Sequence, residues 1–146
     1  FNTAGKIFKE AGLQFCYHVH GYEFRPSKNG SLFDDLMAKT DPAYVNIELD
    51  VYWAKQGCAD PVAIIQQYPS RIKMLHLKDR QYGTVCNTTG HADEETNVVL
   101  GKGDVQISDV MKAAKKAGVK HYFIEDESTR VMKQLPESIT YLKSLK

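Results

Sequence analysis

No apolar run in the 146-residue sequence approaches the roughly 18 residues that a membrane-spanning helix needs, and no charged start followed by an apolar stretch marks a secretory leader. A membrane partner is therefore not expected. A basic block is missing too: 19 Lys and Arg stand against 18 Asp and Glu, scattered along the chain for a formal net charge of +1, so nothing favours a nucleic-acid partner. Cysteine is scarce. Cys16, Cys58 and Cys86 are odd in number and widely spaced, which signals neither a disulfide framework nor a zinc knuckle. All three are read as packed side chains, and the redox compartment stays open. The dinucleotide fingerprint is also absent, since no GxGxxG follows the first strand-like segment and Gly101-Lys102-Gly103 follows a loop instead. The first residue is Phe1, not Met, as in a processed or truncated product whose missing segment could carry an address.

What is present suffices for one core: the 42% hydrophobic content suits a single domain over residues 1–146. Phe1, Ala4, Ile7, Phe8 and Ala11 follow helical spacing, and Gly12 stands where a helix stops. Leu13 to His20 is rich in aromatic and branched residues and predicts a buried strand. Turn chemistry from Arg25 to Ser31 precedes a short helix from Leu32 to about Ala38. The unit then recurs: strand Val45 to Val51, helix from Asp60-Pro61 through Gln67, strand Ile72 to Lys78. Asp79 to Asp104 holds four of the ten glycines and reads as a loop able to act as a lid. Val105 to Ala117 is helical with Gly118 as its stop, Lys120 to Glu125 is a fourth strand, and a last helix runs from about Pro136 to Leu145. Strands alternating with helices predict an α/β fold with parallel pairing, either an open doubly wound sheet or part of a (β/α)8 barrel.

In either fold the carboxyl ends of the strands build the site. The first strand ends Cys16-Tyr17-His18-Val19-His20 with Glu23 just beyond, and the second Asn46-Ile47-Glu48-Leu49-Asp50. The third ends His76-Leu77-Lys78-Asp79 and the fourth Ile124-Glu125-Asp126-Glu127. Every strand thus delivers an imidazole or carboxylate to one rim, and alternation puts His18 with His20, and Glu48 with Asp50, on common faces. Carboxylates and imidazoles converging from separate strands are how a protein holds Mn, Mg, Co or Zn with positions left open for substrate. Each residue also has a structural reading. Asp50 can cap a turn, and His76 can be a satisfied core histidine. Glu125 on an apolar strand is harder to explain that way, because a buried carboxylate is costly when unpaired. Glu48 and Asp126 are read as facing helices or solvent and carrying ordinary ion pairs. Tyr52 and Trp53 serve equally as a substrate wall or as core.

Tyr17-His18-Val19-His20 followed by Glu23-Phe24 resembles the YHNHxxEF signature of sugar phosphate isomerase/epimerase-like proteins with a xylose-isomerase-like TIM barrel. Glu48 to Trp53, Asp60-Pro61-Val62, His76 to Asp79, Gly101 to Asp104 and Lys120 to Glu125 fall in the same order. The resemblance implies a half-barrel, with these four strands standing as strands five to eight of the family fold. It implies a divalent metal held by Asp50, His76 and Glu125, with His18 where the family has a fifth-strand glutamate. Trp53 stands where the family has a histidine. The expected activity is that of a metal-dependent sugar isomerase/epimerase or lyase, removing a proton next to a carbonyl of a keto-sugar, polyol or modified glycoside. Glu125, His20 or Glu23 would move the proton, and Trp53 and Lys78 would contact substrate. The rival is a non-catalytic half-barrel that needs a homodimer partner or an N-terminal half. A related metal-dependent endonuclease is discounted for want of a basic stripe. The compartment, bacterial cytoplasm or periplasm, stays open.

Overall fold

The computed structural model describes residues 1–145. Four strands form one parallel sheet in sequence order: β1 (Cys16–His18), β2 (Asn46–Asp50), β3 (Ile72–Leu77) and β4 (His121–Ile124). β2 and β3 are central, so β1 and β4 carry the open edges. Six helices accompany them: α1 (Asn2–Glu10), α2 (Leu32–Lys39), α3 (Val51–Gln56), α4 (Pro61–Gln67), α5 (Ile107–Ala117) and α6 (Val131–Ser144). None of the described helices is long and apolar enough to cross a membrane.

The helix starts follow from local chemistry. Ser31 and Asp34 form a reciprocal capping box at α2, and Asp60 caps α4 with Pro61 in its first turn. α3 lies where the sequence predicts only the end of a strand and a loop. Asp50 is its cap, accepting the Trp53 N–H at 2.9 Å, so the chain turns from strand to helix without a loop. α6 begins five residues before the expected Pro136. That proline sits inside the helix, and its missing N–H leaves a carbonyl on a turn near the exposed Met132, where water can reach it.

The two faces of the sheet differ. Val19, Ile47, Leu49, Leu75 and Leu77, on the helix-covered side, are fully buried and join Ile65, Val110 and Ala114 in the core. The other face carries His18, Glu48, Asp50, His76 and Glu125, and Phe123 on that face is 46% exposed. In a closed barrel that face is the interior.

The stretch from Asp79 to Asp104 is more ordered than a plain loop. Asp79–Arg80 pairs with Asn97–Val98 as a short antiparallel ribbon, and Glu94–Thr96 forms a 3-10 turn. Cys58 and Cys86 form a disulfide across 28 residues of separation, which corrects the reading of all three cysteines as packed side chains. Sequence spacing could not show it, because the loop must fold back onto a residue held at φ 65° between α3 and α4. Asn87 N–H to the Gln56 carbonyl and Arg25 Nε to the Thr88 carbonyl hold the same segment. Closing a loop of that size stabilises by roughly 3–4 kcal/mol, chiefly by restricting the unfolded chain. Cys16 alone remains a free thiol, with burial pushing it up to about 11.

Candidate metal centre

His18, Asp50 and His76 come from β1, β2 and β3, with Asp50 in register with His76 and His18 one layer deeper, in register with Glu48. Each offers a ligand atom within 4.8 Å of the other two. Asp50 Oδ2 lies 3.7 Å from His18 Nε2 and 3.9 Å from His76 Nδ1. Asp50 is fully buried, and its Oδ2 and His18 Nε2 are buried without a hydrogen-bond partner among the described residues. Such orphaned polar atoms are costly, and a shared cation is what relieves a carboxylate oxygen and an imidazole nitrogen facing each other. The mixed N/O donor set suits Mn, Co or Zn. The two readings of Asp50 are both realised, since Oδ1 caps α3 while Oδ2 faces the cluster.

Glu125 stands beside the cluster, 3.3 Å from His76 Nδ1 and 3.4 Å from Lys78 Nζ. The His76 bond, helped by Lys78, holds its carboxyl down at about 2. The same bond raises His76 against the opposing effect of burial. Burial works against the charge of Lys78, yet Glu127, Asp50 and Glu125 together hold it above its ordinary value.

Glu48 corrects the expectation that it faces helices or solvent. It lies on the same face as Asp50, with Oε1 3.1 Å from His76 Nε2 and Oε2 3.6 Å from His18 Nδ1. The alternation that pairs it with Asp50 was the signal available in the sequence. Asp126 likewise does not form the expected ion pair among the described residues. It accepts from Ser128 and Gln134, closing the turn into α6.

Trp53, which donates its N–H to Asp50, lines a cavity of about 150 Å³ together with Tyr52, His20, His91, Glu94 and Glu127. His20 stacks on Trp53 at 3.9 Å between centroids, so Trp53 is both packed and cavity-lining. Lys78 is 1% exposed and paired with Glu125 and Glu127, its Nζ lying over the Tyr52 and Trp53 rings at 5.2 and 5.7 Å. Glu23 lines neither the cluster nor the cavity. Its buried carboxylate accepts the Tyr17 hydroxyl at 2.7 Å and the His20 N–H at 3.0 Å, bracing the turn after β1.

The profile of the xylose isomerase-like TIM barrel family matches residues 1–145. A sugar phosphate isomerase/epimerase structure from Parabacteroides distasonis superposes with a TM-score of 0.78 at 32% identity, covering 99% of this chain and 49% of that one. The inosose dehydratase of Geobacillus kaustophilus is 36% identical over 78 residues, 53% of this chain and 25% of the relative. A probable 3-DHS dehydratase from Bacillus anthracis, at 16% identity, shares the fold with a TM-score of 0.74 over 99% of this chain and 54% of its own. The chain thus spans about half the length of the similar structures, and the inosose dehydratase match covers a quarter of that relative. Its four parallel strands, their order and the matched profile place this chain in the xylose isomerase-like TIM barrel family.

Proposed function

We propose that this chain carries the metal-bearing half of a sugar isomerase/epimerase or lyase that removes a proton beside the carbonyl of a keto-sugar or keto-polyol. The observation that carries the reading is the pair of orphaned, buried atoms, His18 Nε2 and Asp50 Oδ2, facing each other next to His76. His18, Asp50 and His76 would hold a divalent ion, with Glu125 at its side, and such an ion supplies polarisation of the carbonyl oxygen. Glu125 lies at the rim as a carboxylate able to accept the carbon-bound proton, with Lys78 fixing its position. His20, free to face the cavity from its stack on Trp53, is placed to relay that proton, while Glu23 holds the backbone of His20 in place. The cavity suits a neutral polyhydroxylated ring laid on the aromatic wall. Glu94 and Glu127 line it, no Lys or Arg does among the described residues, and Lys78 nearby is committed to two carboxylates, so the lining favours a neutral ring over a phosphate. The dehydratase and epimerase names of the relatives fit proton removal of this kind.

Incubating the metal-loaded protein with a panel of ketoses, keto-inositols and 3-keto-glycosides in deuterated water should place solvent deuterium on carbon. Glu125→Gln should slow that exchange by about 10²–10⁴-fold. Turnover of phosphodiesters with no exchange at carbon would reject the reading.

The open edges of β1 and β4 favour a second reading, in which the half-barrel completes itself with another copy or with a separate N-terminal half. Leu13 is 60% exposed beside one edge and Phe123 46% on the other, surfaces that a closed barrel would bury. A two-fold homodimer, the preferred form, pairs the last strand of each copy with the first of the other. Light scattering coupled to size exclusion should give twice 16.5 kDa. A stable monodisperse monomer would remove the paired-half reading.

A further inference from the structure

We infer that Glu48 is the positioning residue of the metal centre, one carboxylate holding His18 and His76 in opposite tautomers so that both turn a lone pair toward Asp50. The inference rests on the metal reading above. A neutral imidazole has one N–H and one lone pair, and the partner of the first decides which nitrogen carries the second. Glu48 Oε1 faces His76 Nε2 at 3.1 Å, and Glu48 Oε2 faces His18 Nδ1 at 3.6 Å, an ion-pair contact one short shift from a hydrogen bond. The nitrogens that remain, His18 Nε2 and His76 Nδ1, are the two that face Asp50 Oδ2. Other carboxylates cannot do this for both rings. Asp50 Oδ1 is spent on the Trp53 N–H, and Glu125 accepts from His76 Nδ1, the nitrogen that faces Asp50, where a bound cation would take the place of the proton this bond uses. The geometry has a simple origin in the sheet: Glu48 is in register with His18 on β1 and two residues before Asp50, one layer deeper on the same face. The two rings then meet edge to face at 4.5 Å between centroids, both facing that one carboxylate. Carboxylates that orient ligating histidines in this way typically contribute 10–100-fold in metal affinity.

The test uses zinc, which is diamagnetic, and protein labelled with ¹⁵N and ¹³C. Long-range ¹H–¹⁵N correlations should show His18 bound through Nε2 with Nδ1 protonated, and His76 bound through Nδ1 with Nε2 protonated. Glu48→Gln keeps a single acceptor oxygen, so one imidazole should lose its tautomer and zinc affinity should fall about 10–100-fold. Glu48→Ala should release both rings. Coordination of both rings through the same nitrogen in the wild type overturns the inference, as does a Gln variant with unchanged tautomers and affinity, or a carboxyl shift showing Glu48 itself bound to zinc. If Glu48→Gln does not fold, the wild-type tautomers decide alone. Failure of the wild type to bind zinc at all sinks the metal reading and this inference together, whereas zinc bound with other tautomers sinks only this one.

Discussion

Asp50→Asn should fold as the parent does and lose divalent-metal affinity by on the order of 10²–10³-fold. The reasoning lies in the division of labour between the two carboxylate oxygens. Oδ1 accepts the Trp53 N–H and starts α3; Oδ2 is buried and faces His18 and His76. An asparagine has one oxygen to give. If it keeps the cap, an amide NH₂ points at the two imidazoles and repels a cation; if it flips, the NH₂ meets the Trp53 N–H and α3 loses its start. Asp50→Ala confounds the two effects, since losing the cap alone costs about 1 kcal/mol. Titration calorimetry with manganese and zinc, beside elemental analysis of gently purified protein and of His76→Ala, reads the result. Equal metal content and affinity in wild type and both variants would end the assignment of these residues as ligands.

Asp79→Ala should destabilise the chain by about 4 kcal/mol, far more than its place on a loop suggests. Asp79 is 1% exposed and receives four backbone N–H groups: Arg80 at 2.9 Å and Val105 at 3.1 Å on Oδ1, Gly101 at 2.8 Å and Gly103 at 3.0 Å on Oδ2. One side chain therefore ties the end of β3 to both ends of the Gly101-Lys102-Gly103 turn and to the approach to α5. Removing it strands four donors, three of them in buried bonds. Asp79→Asn keeps one acceptor and turns the other into a donor facing two N–H groups, for a loss of about 2 kcal/mol. Urea titration should rank the variants Ala, Asn, wild type in rising midpoint. An alanine variant within about 0.5 kcal/mol of wild type would mean that water or a rearranged turn satisfies these donors.

The four strands were legible because their helix-facing residues, such as Ile47 with Leu49 and Leu75 with Leu77, are apolar at alternate positions. Their carboxyl ends presented His18, Asp50, His76 and Glu125 among several other polar residues, and the family resemblance singled these four out as candidate ligands. The strand lengths were less legible. Leu13 to His20 reads as eight residues of strand, but β1 lies at an edge with one neighbour, and only Cys16–His18 pair as strand. Tyr52 to Gln56 reads as a connection between the strand ending at Val51 and the helix opening at Asp60, until the Asp50 cap is seen to turn the chain directly into a helix. Glu48 was misplaced for a different reason: an acidic residue flanked by Ile47 and Leu49 looks like a strand residue turned to solvent, and only the positions of two histidines on neighbouring strands give it a task. The Cys58–Cys86 link had no local trace, because it depends on the path of a long loop with no period.

Trp53 is the only tryptophan in the sequence, and it forms a wall of the cavity while stacking on His20 beneath the Lys78 ammonium. Its intrinsic emission therefore comes from a single indole, 6% exposed, with an imidazole in van der Waals contact that can quench its excited state. The chain carries its own optical reporter. A molecule that parts His20 from the indole, or that draws Lys78 away from the ring face, alters brightness and colour at one known position, without label or background from a second fluorophore of the same kind.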